Sequence, residues 1–374
     1  MKLMLMLPDG VGLRNFVFTD FLDQGKKLNW DITVWNNTVF NLSETGVNDL
    51  PYPKASINPR TDLYKRVLNA MELKNNFQKT GKKSYLEYLF PKSYKGLKPF
   101  VKSSLVDAKI AYSKMFSDLD RVREKMYKAE RKSALYDSCK IELQKQSPDL
   151  ILSTNQRPVT AIAPILAAQD LGIPTGTFIF SWDNLPKATM VLKTDYYYVW
   201  SEYMKDELLF YYPFVKKENI FVVGTPQFAA HFNEDTSLTK EQFFKEHNLD
   251  LNKKYICFTG DDVTTSPNDA TYLSDVAEAI VEINKKNTQQ YGLIFRKCPA
   301  DFSDRYDSVL EKNSDIIKSI DPLWTTKTGQ WDQIMPTPED AILLANTIRH
   351  TETAINLGSS IALDYACHDK VSCY

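Results

Sequence analysis

The sequence has little of what usually betrays a function at once. Its formal net charge is −1 over 374 residues, so no overall signal for a polyanionic partner exists. Its five cysteines (Cys139, Cys257, Cys298, Cys367 and Cys373) are scattered with no C-x-x-C pair, and they read as free thiols in a reducing compartment. The four histidines (His231, His247, His350 and His368) form no H-E-x-x-H and no ligand spacing. No apolar run reaches membrane length; Met1 to Leu7 stops at Pro8-Asp9, too short for a signal-peptide core. There are no repeats and no low-complexity tract. These absences leave a globular protein expected in the cytoplasm, and nucleic acid is a poor fit because no DNA or RNA signature accompanies the charge.

What is present is a globular composition, 43% hydrophobic and 25% charged, with a length that suggests two domains. The near-zero net charge hides an asymmetry: Arg60 to Lys132 holds 19 Lys and Arg against 8 Asp and Glu. This basic segment, about 60–147, is mostly helical in pattern. Tyr64, Tyr85, Tyr88, Tyr94 and Tyr112 lie between its charges. It reads either as a solvated helical face or as a surface for anionic lipid head groups or a polyanionic acceptor, which would put the protein at the inner membrane face.

Strand-length apolar runs alternate with helical patterns along the rest. Met1–Leu7, Trp30–Trp35, Asp149–Ser153, Thr177–Phe180, Tyr196–Trp200 and Asn219–Val223 predict strands in a first half. Tyr255–Thr259 and Tyr291–Phe295 do so in a second. Pro158–Leu171, Tyr272–Lys285 and Glu339–Ile348 predict helices. This rhythm predicts two α/β domains, 1–230 and 255–374, joined by a polar linker at 231–254. The last residues, Lys370 to Tyr374, look like the start of a further strand, so the second domain is expected to be incomplete.

Thr353-Ala-Ile-Asn-Leu-Gly358-Ser359-Ser360-Ile-Ala-Leu-Asp364 carries the most chemistry. A strand meets a Gly-Ser-Ser turn and a helix, and a carboxylate follows one helical turn in. Such a corner can hold a phosphate on backbone N–H groups, with Asp364 receiving a sugar hydroxyl beside it. The plain alternative is a tight connection. Arg296 and Lys297 end another strand, where two cations would suit a diphosphate. Gly260 begins the turn after Tyr255–Thr259, and Trp331 offers a face for a nucleobase.

In the first half, Ser181-Trp182-Asp183-Asn184-Leu-Pro-Lys187 gathers a carboxylate, an amide, an indole and an ammonium in one loop. Asp9-Gly10-Val11-Gly12 lies at the same edge; Asn15 stands where a dinucleotide fingerprint needs its third glycine. Asp183, with Asp9 second, is the candidate general base, and Gly10, Gly12, Trp182, Asn184 and Lys187 are candidates to hold an acceptor. Asp261-Asp262 and Asp118-Leu119-Asp120 lack the context of a metal site, so no metal and no resident cofactor are expected.

These residues resemble the GT-B-fold glycosyltransferases, especially bacterial enzymes of surface-polysaccharide assembly. Gly358-Ser359-Ser360-x-x-x-Asp364 is similar to their donor-binding turn, and Gly224-Thr225-Pro226 to the G-x-P that closes their N-terminal domain. Ser181-Trp182-Asp183-Asn184 sits where the lipid-linked GlcNAc transferases carry an acidic-plus-Asn loop. Arg296-Lys297-Cys298-Pro299 resembles the R-x-H-P of the CDP-glycerol glycerophosphotransferases, with Cys298 in place of their His. The resemblance implies two Rossmann-like domains facing a cleft, a nucleotide-sugar donor, a glycan or lipid-linked acceptor and metal-independent transfer. A glycerophosphotransferase, a nucleotide-sugar epimerase, and a non-catalytic binding or scaffold protein remain as alternatives.

Overall fold

The computed structural model describes residues 1–10, 12–42, 46–53, 57–89, 104, 106, 108, 119–326 and 334–374. The chain forms two compact units, Met1–Thr225 and Pro226–Tyr374.

The first unit is built on a parallel sheet. Its strands are β1 (Lys2–Leu7), β2 (Asp31–Asn36), β3 (Asn48–Pro51), β4 (Leu150–Ser153), β5 (Thr175–Phe178), β6 (Tyr196–Val199) and β7 (Ile220–Val222). They lie in the order β3-β2-β1-β4-β5-β6-β7. The order reverses between β1 and β4, which pair from Leu3↔Leu150 to Met6↔Ser153. A parallel sheet must be covered on both faces, and that is why β1 reads as an unbroken apolar run. Met4, Met6, Trp35 and Ile151 face one core cluster. The chain after β1 forms two helical pieces, a wide turn at Leu13–Val17 and α1 at Phe21–Lys27. Between them the Thr19 hydroxyl donates to the Asn15 carbonyl at 3.0 Å.

Within the basic segment, the described helices are α2 (Pro59–Thr80), α3 (Ser84–Glu87), α4 (Leu119–Glu130) and α5 (Ala134–Gln146). Their apolar faces do not stand apart from the domain. Val67, Leu68, Val122 and Met126 pack into the cluster that covers β1 and β4. Arg123 pairs with Glu72 at 2.6 Å, both buried. Tyr94, Tyr112 and Asp118 lie outside the described residues. Helices α6 (Ile162–Asp170) and α7 (Glu202–Tyr211) complete this unit.

The second unit starts earlier than expected. The stretch 231–254, read as a polar linker, holds α8 (Lys240–Glu246), capped by Thr239 and Gln242 in a reciprocal box. Phe243, Phe244 and Leu249 drop into the same core as Tyr255, Cys257 and Ile294. Two buried phenylalanines in a lysine- and glutamate-rich helix are what the average polarity concealed.

Its strands are β8 (Lys253–Thr259), β9 (Gln290–Arg296), β10 (Ile317–Ser319), the pair β11 (Thr325–Thr326) and β12 (Ile334–Met335), then β13 (Ala354–Ile355) and β14 (Ser372–Cys373). The parallel sheet runs β10-β9-β8-β13-β14, with β11 and β12 forming a separate antiparallel pair. The order reverses between β8 and β13. Helices α9 (Asp269–Lys286) and α10 (Asp307–Lys312) precede α11 (Pro338–Arg349) and α12 (Ile361–Ala366). Successive residues of β8 serve opposite faces: Tyr255 and Cys257 join one cluster, Phe258 the other. The strand expected at Lys370–Tyr374 is β14, paired with β13 at Ala354↔Ser372. Among the described residues no helix is long and apolar enough to cross a membrane.

Candidate functional sites at the two sheet edges

In an open parallel sheet, loops at the carboxyl ends of the strands splay apart where the order reverses, and ligands bind there. Each unit has such a point, and each candidate residue is placed relative to it.

In the first unit, β1 ends in Pro8-Asp9-Gly10 and β4 in Thr154-Asn155-Gln156-Arg157. Asn155 Nδ2 donates to Asp9 Oδ2 at 2.5 Å. Burial lowers the pKa of Arg157, while Asp9 and Asp183 both pull it back up. The ends of β1, β4 and β5 therefore share one electrostatic cluster. Sequence reasoning had found both carboxylates but not Arg157 between them. Gly12 explains itself: a Cβ there would stand 2.4 Å from Thr154 Oγ1 and 2.7 Å from Leu7 Cδ2. Its small size lets the first turn press against β4. The Gly10 carbonyl accepts from Leu13 N at 3.2 Å.

The loop after β5 is self-bonded. Ser181 Oγ donates to Asp183 Oδ1 at 2.6 Å and Asn184 Nδ2 to the same oxygen at 2.9 Å, while Lys187 Nζ bonds Asp183 Oδ2. Burial raises the Asp183 pKa, but the bonds from Lys187 and Ser181 outweigh it and leave the carboxyl below its usual range. That makes Asp183 a weak base in this arrangement. Lys187 is tied to Asp183 rather than projecting alone, and Asn184 is buried. Trp182 is 45% exposed, the most accessible of the group. Asn69 of α2 donates to the carbonyls of Lys187 and Ala188 at 3.2 and 3.0 Å, anchoring the loop to the basic helices.

In the second unit the expected cations have internal partners. Arg296 is 6% exposed and its Nη2 is 2.6 Å from Asp340 Oδ1. Asp340 also accepts from Leu323 N at 2.7 Å and Trp324 Nε1 at 2.6 Å, so Arg296 braces the 321–326 stretch against the start of α11. Lys297 Nζ bonds the Ser303 carbonyl. Neither cation stands clear for a diphosphate as the strand-end pattern suggested. For Arg296 the reason is the acid-rich first turn of α11, which sequence distance hid.

The Gly358-Ser359-Ser360 corner does lie at the end of β13. Gly358 has φ +108°, which an L side chain rarely adopts. The N–H groups of Gly358 and Ser359, however, both donate to Asn356 Oδ1 at 2.9 Å. An Asn two residues before a Gly is a turn signal in its own right. Asp364 is 2% exposed, and His231 Nε2 lies 2.8 Å from its Oδ1. One oxygen of the carboxylate expected to receive a sugar hydroxyl is bonded to an imidazole. Gly260 N donates to the Arg296 carbonyl at 2.9 Å. Trp331 lies outside the described residues.

Two features of this edge were not foreseen. Asp261, just beyond β8, has its pKa raised by burial and by Asp269 and Asp262, and its Oδ2 is buried without a partner. Register also aligns three polar side chains. Thr259 pairs with Arg296, and Asn356 follows the Ile355↔Phe258 pair, so the three stand in one row across β9, β8 and β13. Thr259 Oγ1, Arg296 Nη1 and Asn356 Nδ2 are all buried and unpartnered. Among the described residues no three His, Cys, Asp or Glu side chains converge to hold a metal ion. All five cysteines are unpaired.

The sequence matches no family model and no curated protein. Solved structures do resemble it. The UDP-GlcNAc 2-epimerase from Methanocaldococcus jannaschii is 16% identical with a TM-score of 0.52, the match covering 100% of this chain and 83% of that one. A putative UDP-N-acetylglucosamine 2-epimerase from Listeria monocytogenes is 12% identical with a TM-score of 0.54, covering 99% and 78%. The S. aureus MnaA structure solved with UDP is 12% identical with a TM-score of 0.52, also covering 99% and 78%. The fold is GT-B. At these identities the likeness is one of architecture; the chemistry has to be argued from the residues.

Proposed function

We propose that this chain is a nucleotide-sugar enzyme, and that it epimerises the sugar of its donor. The observation that carries the reading is the pair of doubly wound parallel sheets with polar loops at both reversal points, in a fold shared with UDP-GlcNAc 2-epimerases. The second unit takes the nucleotide. Ser359 and Ser360 present hydroxyls at the end of β13, and Asp261 faces the same corner through its contact with the Leu357 backbone. Thr259, Arg296 and Asn356 stand in one row at this edge, and each has a buried polar atom without a protein partner. The first unit carries a polar cluster of its own at Asp9, Asn155, Arg157 and Asp183. No metal is assigned to the reaction.

Epimerisation is preferred to transfer because solved structures that share this fold at TM-scores of 0.52 and 0.54 are UDP-GlcNAc 2-epimerases, and because Asp183, the expected acceptor base, is tied up by Ser181, Asn184 and Lys187. A carboxylate so stabilised removes a hydroxyl proton poorly. Transfer keeps one argument of its own, the basic helices tied to the Asp183 loop through Asn69, which suit an anionic acceptor.

The deciding experiment is proton NMR of UDP-GlcNAc with the protein in D2O and no acceptor. A second UDP-sugar carrying deuterium at the inverted carbon is the expected result. A donor that stays unchanged alone, yet is consumed when a glycan or lipid-linked acceptor is added, would replace epimerisation by transfer.

A further inference from the structure

The second unit holds a buried constellation that the proposed reaction leaves unused. His231 Nε2 is 2.8 Å from Asp364 Oδ1, and His231 Nδ1 is 3.1 Å from His368 Nε2. The side chains of His231 and Asp364 are each 3% exposed. His368 is pushed down to about 4 by burial and by the neighbouring His231, so it stays neutral at pH 7. The three residues come from two distant places. His231 belongs to the turn Pro226–Phe232 that opens the unit; Asp364 sits in α12 and His368 just after it. The turn packs along α11, with the Phe228 ring 6.4 Å from that of His231.

Asp364 lies one helical turn beyond the Gly358–Ser360 corner. A sugar ring attached to a phosphate at that corner would reach for this carboxylate with its hydroxyls. With His231 on Oδ1 and both side chains 3% exposed, the carboxylate is closed to a sugar hydroxyl. We propose that His231 is a latch: it competes with the nucleoside's sugar hydroxyls for Asp364, and nucleotide binding releases the turn Pro226–Phe232. This rests on the nucleotide reading given above. A latch of this kind lowers apparent affinity by the fraction of molecules in which it is open.

The test is UDP titration calorimetry on the full chain and on His231→Ala, with amide hydrogen exchange of residues 226–232 in the wild type. His231→Ala should bind UDP about tenfold more tightly. UDP should speed exchange in the turn, whereas UDP lacking both ribose hydroxyls should not. If the wild type binds UDP while the turn becomes equally or better protected, the latch is overturned and the nucleotide reading survives. Equal affinity in a folded His231→Ala protein has the same meaning. If neither protein binds any nucleotide, both proposals fall. Should the variant not fold, the wild-type exchange measurement decides alone.

Discussion

At the carboxyl edge of the first sheet, Arg157 stands half-buried between Asp9 and Asp183, and the cluster includes an indole that is largely open to solvent. At the same edge of the second sheet, Arg296 is closed off against Asp340, Lys297 is spent on a carbonyl, and Asp364 on a histidine. Topology makes the two edges equivalent. Packing does not. Charges that keep some water can exchange partners with a ligand at small cost, whereas buried pairs act as braces whose loss leaves an uncompensated charge. A strand-end arginine thus has no fixed meaning; the helix that follows decides whether it binds a ligand or holds a loop.

The sharpest way to break the comparison is to remove one arginine from each edge. Arg296→Leu should destabilise the second unit by about 3–5 kcal/mol, because Asp340 is left buried with no cation. Arg157→Leu should cost about 1 kcal/mol or less. Urea denaturation measures both; equal losses would erase the distinction between brace and site.

Next in size is Gly12→Ala. Its methyl would press on Thr154, which is fully buried and bonded to the Met6 carbonyl at 3.0 Å, so the expected cost is about 1–3 kcal/mol. A neutral substitution would mean that the first turn is not packed as tightly against β4 as the geometry indicates.

The two edges should also titrate in opposite senses. The folded-state pKa of Asp183 is lowered, so its contribution is present above the ordinary value of 3.8 and is lost as pH falls through the lowered one. That of Asp261 is raised, so its contribution is present below 3.8 and is lost as pH rises through the raised value. Carboxyl carbon NMR should find Asp183 titrating below 3.8 and Asp261 above it. Coincident midpoints would show that the two carboxylates share one environment after all.

The smallest expected effect is Trp182→Ala. An indole this exposed should change stability by no more than about 0.5 kcal/mol. A shift above that in thermal melting would reveal packing that the exposure of the ring does not suggest.

Much of the frame was legible in the chain because strand-length apolar runs and strand–turn–helix junctions are local. Met1–Leu7, Asp149–Ser153, Tyr255–Thr259 and Tyr291–Phe295 all correspond to sheet strands within a few residues. The short strands β3 and β10 were missed; neither carries the apolar run that marks a buried strand. So was the true start of the second unit, because Phe243 and Phe244 are only two residues in a polar stretch. The Gly358-Ser359-Ser360 corner was placed correctly at a strand end, yet Asn356, within the same motif, turned out to own two of its N–H groups.

The sequence by itself determined the alternation of strands and helices and the positions of the loops that bear polar residues. Hydrophobic periodicity and turn chemistry are short-range, and each can be read within a dozen residues. Only the tertiary structure decided which of those polar residues are engaged with one another. Asp340 lies 44 positions from Arg296, and His231 lies 133 from Asp364. Both contacts are made by folding elements that are separate in the chain onto one sheet edge, and a buried charge takes the partner that the fold brings to it.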